Sequence, residues 1–256
     1  MIPSVYVTGV GVWTAVFPDW AAWLAGAPGP ALGAPSCAAV SARLLRGTSL
    51  VTRIALDVAM QALTSAGVSP DATPTVFGSH LGEIQTVVSL LQDIAADAPV
   101  SPLRFKNSVH NAASGNLSIA LGNRAFSTAL SAGADTPAVC LLEAWAWLDA
   151  EGRDVVVAVA EEPVPPPLDA LEGSYDAFGV ALCLSASPGR APRARLTNLR
   201  RQEGDPSAVP VRSAGDDRRA PLLRLLDGIA RREHATFALS DGSAGWAVDL
   251  NTPQAP

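Results

Sequence analysis

The sequence is poor in the residues that mark nucleic-acid binding. Its 18 lysine and arginine residues are outnumbered by 24 aspartate and glutamate residues, which gives a formal net charge of −6. Lys106 is the only lysine in the chain. A nucleic-acid-binding protein needs a basic surface that neutralises phosphates, so this composition argues against nucleic acid as a partner.

Residues that bind metals or form disulfides are also scarce. The three cysteines are odd in number and widely spaced, so we interpret them as buried small hydrophobic residues of a protein in a reducing compartment. His80, His110 and His234 are the only histidines, and no two of them have the spacing of a metal motif. We therefore expect no metal and no cofactor.

Long apolar runs and a leader segment are absent from the printed sequence. No stretch approaches the roughly 20 apolar residues that cross a bilayer, and no basic region precedes an apolar segment at the N-terminus. We expect no membrane span and a cytoplasmic location. Glu161 and Glu162 are adjacent carboxylates at the end of a predicted strand. Neighbouring strand residues point to opposite faces, so we interpret this pair as a solvated strand end, not an acid–base pair.

Hydrophobic residues make up 48% of the chain, and their spacing alternates between strand and helix patterns. Strands are predicted at residues 5–12, 75–77, 126–130, 154–160 and 177–185. Helices are predicted at residues 48–67, 82–96, 108–122 and 135–151. This alternation predicts an α/β fold, with a parallel or mixed sheet that carries helices on both faces.

The second part of the chain changes in composition. We predict a principal domain over residues 1–187 and a polar, Arg- and Pro-rich connector of irregular structure over 188–219. Residues 220–256 are predicted to form a short tail packed on the domain. That tail contains a helix at 222–232 and a hairpin whose strands, 237–239 and 246–250, flank a turn.

Residues 126–133 are the most informative segment, since FSTALSAG describes a short strand that turns through small residues just before a helix. Turns of this kind present side chains to reacting groups. Four segments, taken together, resemble the N-terminal half of β-ketoacyl synthases, and in particular the chain length factors of bacterial aryl polyene clusters. They are VYVTGVGVWTA, FGSHLGEIQTVVSLLQDI, SVHNAASGNLSIALG and STALSAGADT.

The resemblance covers roughly residues 1–187 and implies a thiolase-like N-terminal half-fold. Such a fold is a layered αβα arrangement around a mixed five-stranded sheet with helices on both faces. The resemblance also implies that the family's C-terminal half is truncated here.

In an active ketosynthase the small-residue turn carries a nucleophilic cysteine, and the resemblance places that position on Leu130. Leucine has no nucleophilic atom. The two histidines that the family uses downstream of the cysteine belong to the truncated half. We therefore expect no catalytic residue, and a chain that is not an enzyme by itself.

The implied function is that of a chain length factor. Such a subunit forms a heterodimer with an active β-ketoacyl-ACP synthase and shapes its acyl channel during polyene or polyketide elongation, meeting the acyl carrier protein only indirectly. The strand at 126–130 is expected to pair with its equivalent in the partner. The residues expected at the partner interface or acyl channel are Phe105, Asn107, His110, Asn111, Ser114, Phe126, Ser127, Thr128 and Ala129.

Two alternatives stay open at this point. In the first, the chain is an acyltransferase or hydrolase that uses Ser127 or Ser131 as nucleophile and His110 as base. In the second, it is a homodimeric scaffold that binds an acyl chain.

Overall fold

The computed structural model describes residues 4–166, 168–172, 175–189, 191–203, 221–240 and 244–253. Within these residues the strands are β1 (Ser4–Thr14), β2 (Thr75–Gly78), β3 (Ser127–Leu130), β4 (Val155–Glu161), β5 (Phe178–Ser185), β6 (Ala194–Glu203), β7 (His234–Ala238) and β8 (Ala244–Asn251). The helices are α1 (Trp20–Ala25), α2 (Ala42–Leu45), α3 (Leu50–Ala66), α4 (Ile84–Ala95), α5 (Pro102–Lys106), α6 (Ala112–Leu121), α7 (Thr136–Glu151), α8 (Asp169–Glu172) and α9 (Pro221–Ala230).

All the described strands belong to one mixed sheet with the order β3-β2-β4-β5-β1-β6-β8-β7. Strand β2 pairs in parallel with β3 and β4, and the other pairs are antiparallel. The predicted α/β class and mixed sheet are confirmed. The predicted number of five strands is wrong, because β6, β7 and β8 extend the sheet to eight strands.

Strand β6 lies inside the segment that was expected to be irregular. Its polar composition conceals a strand alternation, since Ala194 and Leu196 are buried while Arg195 between them is exposed. Strand β6 pairs with β1 on one side and β8 on the other, so the sheet continues across residue 187. Residues 204–219 of the predicted connector lie outside the described residues.

The predicted helix and hairpin of the tail are present as α9, β7 and β8. Leu222 and Leu225 of α9 enter the same hydrophobic core as the central strands. Residues 241–243 of the predicted turn lie outside the described residues. The division of the chain into a domain, a connector and a tail stays a prediction.

The sheet separates two hydrophobic cores. Val157 of β4 packs in the core that contains α7 and α9, whereas the neighbouring Ala158 packs in the core that contains α3. Because alternate residues of a strand point to opposite faces, a strand covered on both sides is apolar throughout. This arrangement confirms the layered αβα architecture.

Helix α3 lies directly against β1. A Cβ atom on Gly9 or Gly11 would collide with the backbone oxygens of Ala62 and Val58, so only glycine permits this approach. The predicted ends of the helix are also present. Ser49 Oγ accepts a hydrogen bond from the backbone N–H of Thr52, and Gly67 closes the helix in the left-handed conformation.

Candidate functional site

The candidate site is the turn between β3 and α7. Thr136 Oγ1 accepts a hydrogen bond from the backbone N–H of Ala132 at 2.9 Å and donates one to the carbonyl of Gly133 at 2.7 Å. Gly133 has a φ of +59°, a conformation that glycine adopts without strain. The turn is therefore held by its own residues and by the first residue of α7.

Leu130 is the last residue of β3 and stands immediately before this turn. Its side chain is partly buried and packs against the core formed with α7. The backbone N–H of Ser79 donates to the Leu130 carbonyl at 3.3 Å. An aliphatic side chain at this position can fill volume but cannot attack a thioester or transfer a proton.

The loop that follows β2, residues 79–82, contacts both the turn and His110. The hydroxyl of Ser131 donates to the carbonyl of His80 at 2.8 Å. His110 Nε2 lies 3.1 Å from the carbonyl of Ser79. Ser131 and His110 thus both contact the loop that contains His80, although their chain positions are far apart.

The structure does not bring together the serine–histidine pair of the hydrolase alternative. Ser127 Oγ is 2.9 Å from Thr75 Oγ1, and Ser131 donates to a backbone carbonyl. His110 is engaged with the carbonyl of Ser79. Because a nucleophilic serine needs a base within hydrogen-bond reach, this geometry does not support that alternative.

The interpretation of Glu161 and Glu162 as a solvated strand end is wrong. Both side chains are buried, at 5% and 1% exposure, at the end of β4. Glu161 Oε2 accepts from the Ser79 hydroxyl at 3.0 Å and Oε1 accepts from the backbone N–H of His80 at 2.6 Å. These bonds place Glu161 beneath the loop that faces the turn.

Burial raises the pKa of Glu161 to about 7, and the hydrogen bonds from His80 and Ser79 oppose this rise. Burial likewise raises the pKa of Glu162 to about 7, and the charge of Glu83 adds to the effect. The apolar run VVVAVA could have signalled this burial, because a strand covered on both faces continues into a buried end.

The residues predicted at a partner interface fall into two groups. The first group is exposed or partly buried. Its exposed members are Phe105, His110, Asn111, Phe126 and Ser127, and its partly buried members are Thr128 and Ala129. Phe105 is 66% exposed. Asn107 and Ser114 are buried and hold local structure. Asn107 Nδ2 donates to the Gly47 carbonyl at 2.7 Å, and Ser114 Oγ donates to the Asn111 carbonyl at 3.0 Å. The assignment of these residues to an interface stays a prediction.

Strand β3 forms one edge of the sheet, and its neighbour within the described residues is β2. The carbonyls of Phe126 and Leu130 accept bonds from the β2 side. Backbone groups alternate in direction along a strand, so those of Ser127 and Ala129 point to the outer edge. Phe126 stacks on Trp147 of α7 at the start of this edge, with ring centroids 4.6 Å apart.

The described residues contain no group of three or more histidine, cysteine, aspartate or glutamate side chains arranged to hold a metal ion. Among the described helices, none combines the length and apolar character needed to cross a membrane.

Comparison with known proteins gives one family. Residues 20–247 match the N-terminal domain of β-ketoacyl synthases. No curated protein sequence matches the chain.

Several solved structures share the fold. A chain of the ketosynthase (ApeO) in complex with its chain length factor (ApeC) from Xenorhabdus doucetiae aligns with a TM-score of 0.73 and 24% identity, covering 96% of this chain and 99% of that chain. A chain of the ishigamide ketosynthase/chain length factor aligns with a TM-score of 0.79 and 15% identity, covering 98% of this chain and 100% of that chain. A chain of AntDE:AntF, a type II polyketide synthase carrier protein in complex with its ketosynthase, aligns with a TM-score of 0.72 and 13% identity, covering 99% and 100%.

Proposed function

Because the chain belongs to the β-ketoacyl synthase N-terminal domain family, we propose that it is a non-catalytic chain length factor. In this proposal it pairs with an active β-ketoacyl-ACP synthase and shapes the acyl channel of that enzyme during polyene or polyketide elongation. The heterodimer is cytoplasmic, and the acyl carrier protein meets this chain only through the ketosynthase.

The observation that carries the proposal is the nature of residue 130. The turn after β3 is the place where the family resemblance puts the reactive cysteine, and Leu130 stands there with an aliphatic side chain. A chain with this residue cannot form the acyl thioester on which condensation depends. The family fold is therefore retained without the nucleophile, which favours a role in assembly.

Within the described residues β3 has one neighbouring strand, and its other edge supports pairing with a second chain. An edge strand that is short and partly exposed presents unpaired backbone groups, and covering them with another strand is the common solution. Ser127 and Ala129 direct such groups outward, next to the exposed ring of Phe126. The similar structures named above are described as complexes that contain ketosynthases, and the proposal gives this chain the same kind of partner.

Helix α6 supports the proposed role at the acyl channel. Its outer side exposes Ile119, and the residues just before it, Val109 and His110, are exposed as well. Alanine, serine and glycine occupy much of the helix and permit a close approach by another chain. A channel wall needs apolar side chains that fill volume, and α6 offers them without catalytic groups.

Co-expression with an active ketosynthase from the same organism tests the proposal. We expect a heterodimer in size-exclusion chromatography with mass detection, and no elongation of an acyl thioester by this chain alone. Ala129→Pro removes an outward-pointing N–H from the β3 edge and is expected to prevent the heterodimer. Ala129→Ser keeps that N–H and is the matched control.

Two results would overturn the proposal. One is a folded chain that remains monomeric or self-associated in the presence of the ketosynthase, and self-association alone would favour the acyl-binding scaffold. The other is condensing activity of the purified chain without a companion.

A further inference from the structure

Helices α4 and α5 form one unit, which we call the α4–α5 arm (residues 84–106). Arg104 of α5 contacts two residues of α4. Its Nη2 lies 2.5 Å from Asp93 Oδ2, and its Nη1 donates to Ser89 Oγ at 2.5 Å. These contacts connect the two helices of the arm.

Apolar packing contributes little to the position of the arm. Val88 and Leu90 are its buried residues, and no residue of the arm belongs to the two large hydrophobic cores of the described chain. Four large apolar side chains of the arm are at least half exposed. They are Leu91, Ile94, Leu103 and Phe105. The orientation of the arm must therefore depend on its attachments at the two ends.

Glu162 provides the attachment at the N-terminal end. Its Oε1 accepts from the backbone N–H of Gln85 in the first turn of α4 at 3.0 Å. Its Oε2 accepts from the backbone N–H of Val51 in the first turn of α3 at 3.3 Å. One buried carboxylate thus joins the N-termini of two helices, where a negative group is favourable. Since α3 is part of the core, Glu162 connects the arm to that core.

Further polar contacts support this connection. Glu83, the residue before α4, accepts a hydrogen bond from Thr52 Oγ1 of α3 at 2.5 Å. Gln85 Nε2 donates to the carbonyl of Pro163 at 2.9 Å. At the other end of the arm, Asn107 Nδ2 donates to the carbonyl of Gly47 at 2.7 Å. Glu162 is the only one of these groups that contacts both helices through backbone donors.

We propose that Glu162 is a positioning residue that holds the α4–α5 arm against α3 and so presents the exposed apolar side chains of the arm to the ketosynthase partner. The identity of that partner rests on the proposed function, whereas the attachment of the arm does not. Loss of the carboxylate should release the arm while the sheet and its two cores stay folded.

The single lysine of the chain allows a local test. Endoproteinase Lys-C can cut the native chain only after Lys106, the exposed last residue of α5. Cleavage requires the surrounding segment to open, so its rate reports local unfolding of the arm. We expect Glu162→Ala to raise this rate by about tenfold or more relative to the original chain. Glu162→Gln keeps one acceptor oxygen, and we expect it to restore part of the protection.

Two controls separate a local effect from a general one. Glu151→Ala changes an exposed glutamate on α7 and should leave the cleavage rate unchanged. The urea midpoint of each variant shows whether the whole chain has been destabilised. If Glu162→Ala does not fold, the Glu162→Gln variant tests the proposal instead. We expect its cleavage rate to rise by about threefold while its urea midpoint stays unchanged. The proposal would be overturned if the folded variants were cut at the original rate. It would also be overturned if a lower urea midpoint accounted for the faster cleavage.

The affinity for the ketosynthase tests whether the arm contributes to binding of the partner. We expect Glu162→Ala to weaken the heterodimer by about tenfold, with partial recovery in Glu162→Gln. If the original chain does not bind the ketosynthase at all, the proposed function fails and the cleavage rates alone judge Glu162. If the original chain and the variants bind equally well and are cut equally fast, the inference about Glu162 fails and the proposed function stands.

Discussion

Strands β3 and β4 lie on either side of β2, and they differ in burial and in the number of neighbouring strands. All seven residues of β4 are buried, and the strand has a neighbour on each side. The four residues of β3 are exposed or partly buried, and β2 is the neighbour that the described chain provides. Strand β4 therefore serves the stability of the fold, whereas β3 is available for another chain.

The largest difference in stability between the two strands is expected when a charged side chain is introduced into each of them. Val157→Asp places an unpaired carboxylate in the core of β4 and should cost about 4 kcal/mol or more of unfolding free energy. Ser127→Asp makes the same change on exposed β3 and should cost about 1 kcal/mol or less. Urea denaturation followed by circular dichroism measures both values. Equal losses would show that β3 is as closely packed as β4.

The unfolding free energy is expected to change with pH by a few kcal/mol because of Glu161, at the end of β4. Burial raises the pKa of Glu161 from 4.5 to about 7, so the folded chain retains a proton that the unfolded chain has released. This contribution to stability is complete below about pH 4.5 and is lost as the pH rises through 7, at roughly 1.4 kcal/mol per pKa unit.

Glu161→Gln should reduce this pH dependence, and Glu162, whose pKa is raised in the same direction, supplies the part that remains. Glu151→Gln, an exposed control, should leave the dependence unchanged. Unfolding free energies measured across this pH range test the effect. A slope in Glu161→Gln identical to that of the original chain would exclude Glu161 as its source.

A smaller effect is expected at the beginning of β3. Phe126→Ala removes the ring that stacks on Trp147 and should lower the unfolding free energy by about 1–2 kcal/mol. Phe126→Leu keeps an apolar side chain there and should lose about half as much. Thermal denaturation measures stability, and titration with the ketosynthase measures affinity. Affinity retained in both variants would place Phe126 outside the interface.

The smallest effect is expected at the end of β3. Leu130→Cys should change the unfolding free energy by about 1 kcal/mol or less, because Leu130 is only partly buried. Burial raises the pKa of the native thiols, to about 12 for Cys37 and Cys140 and about 11 for Cys183. Iodoacetamide should therefore label the new thiol in preference to them.

The Leu130→Cys variant should still not condense acyl thioesters, because a thiol alone does not supply the acid–base groups of that reaction. Mass spectrometry after labelling and an acyl-carrier-protein extension assay check the two outcomes. Condensation by the variant would contradict the non-catalytic role.

Local patterns in the sequence predicted much of the fold. Helix α3 follows from its apolar spacing, with Ser49 at its start and Gly67 at its end. Strand β4 follows from its continuous apolar run, and the turn before α7 follows from its small residues. The additional strand β6 did not follow, because the arginines between its buried residues give the segment the composition of a loop.

The surroundings of Glu161 and Glu162 could not be read from their neighbours in the chain. Their hydrogen-bond donors come from the starts of α3 and α4 and from the loop after β2, about 80 to 110 residues away. Composition and spacing describe what a residue prefers, whereas burial depends on which distant segments cover it. The same limit applies to the direction in which each backbone group of β3 points.

By itself the sequence determined the alternation of strands and helices, the family resemblance and the presence of leucine at residue 130. These are local properties, because periodicity, capping residues and the identity of a side chain need no information about distant segments. Only the tertiary structure decided that, within the described residues, β3 is a sheet edge, that the eight described strands form one sheet and that Glu162 joins two helices. Each of these depends on contacts between segments far apart in the chain, which are formed by packing and not by local preference.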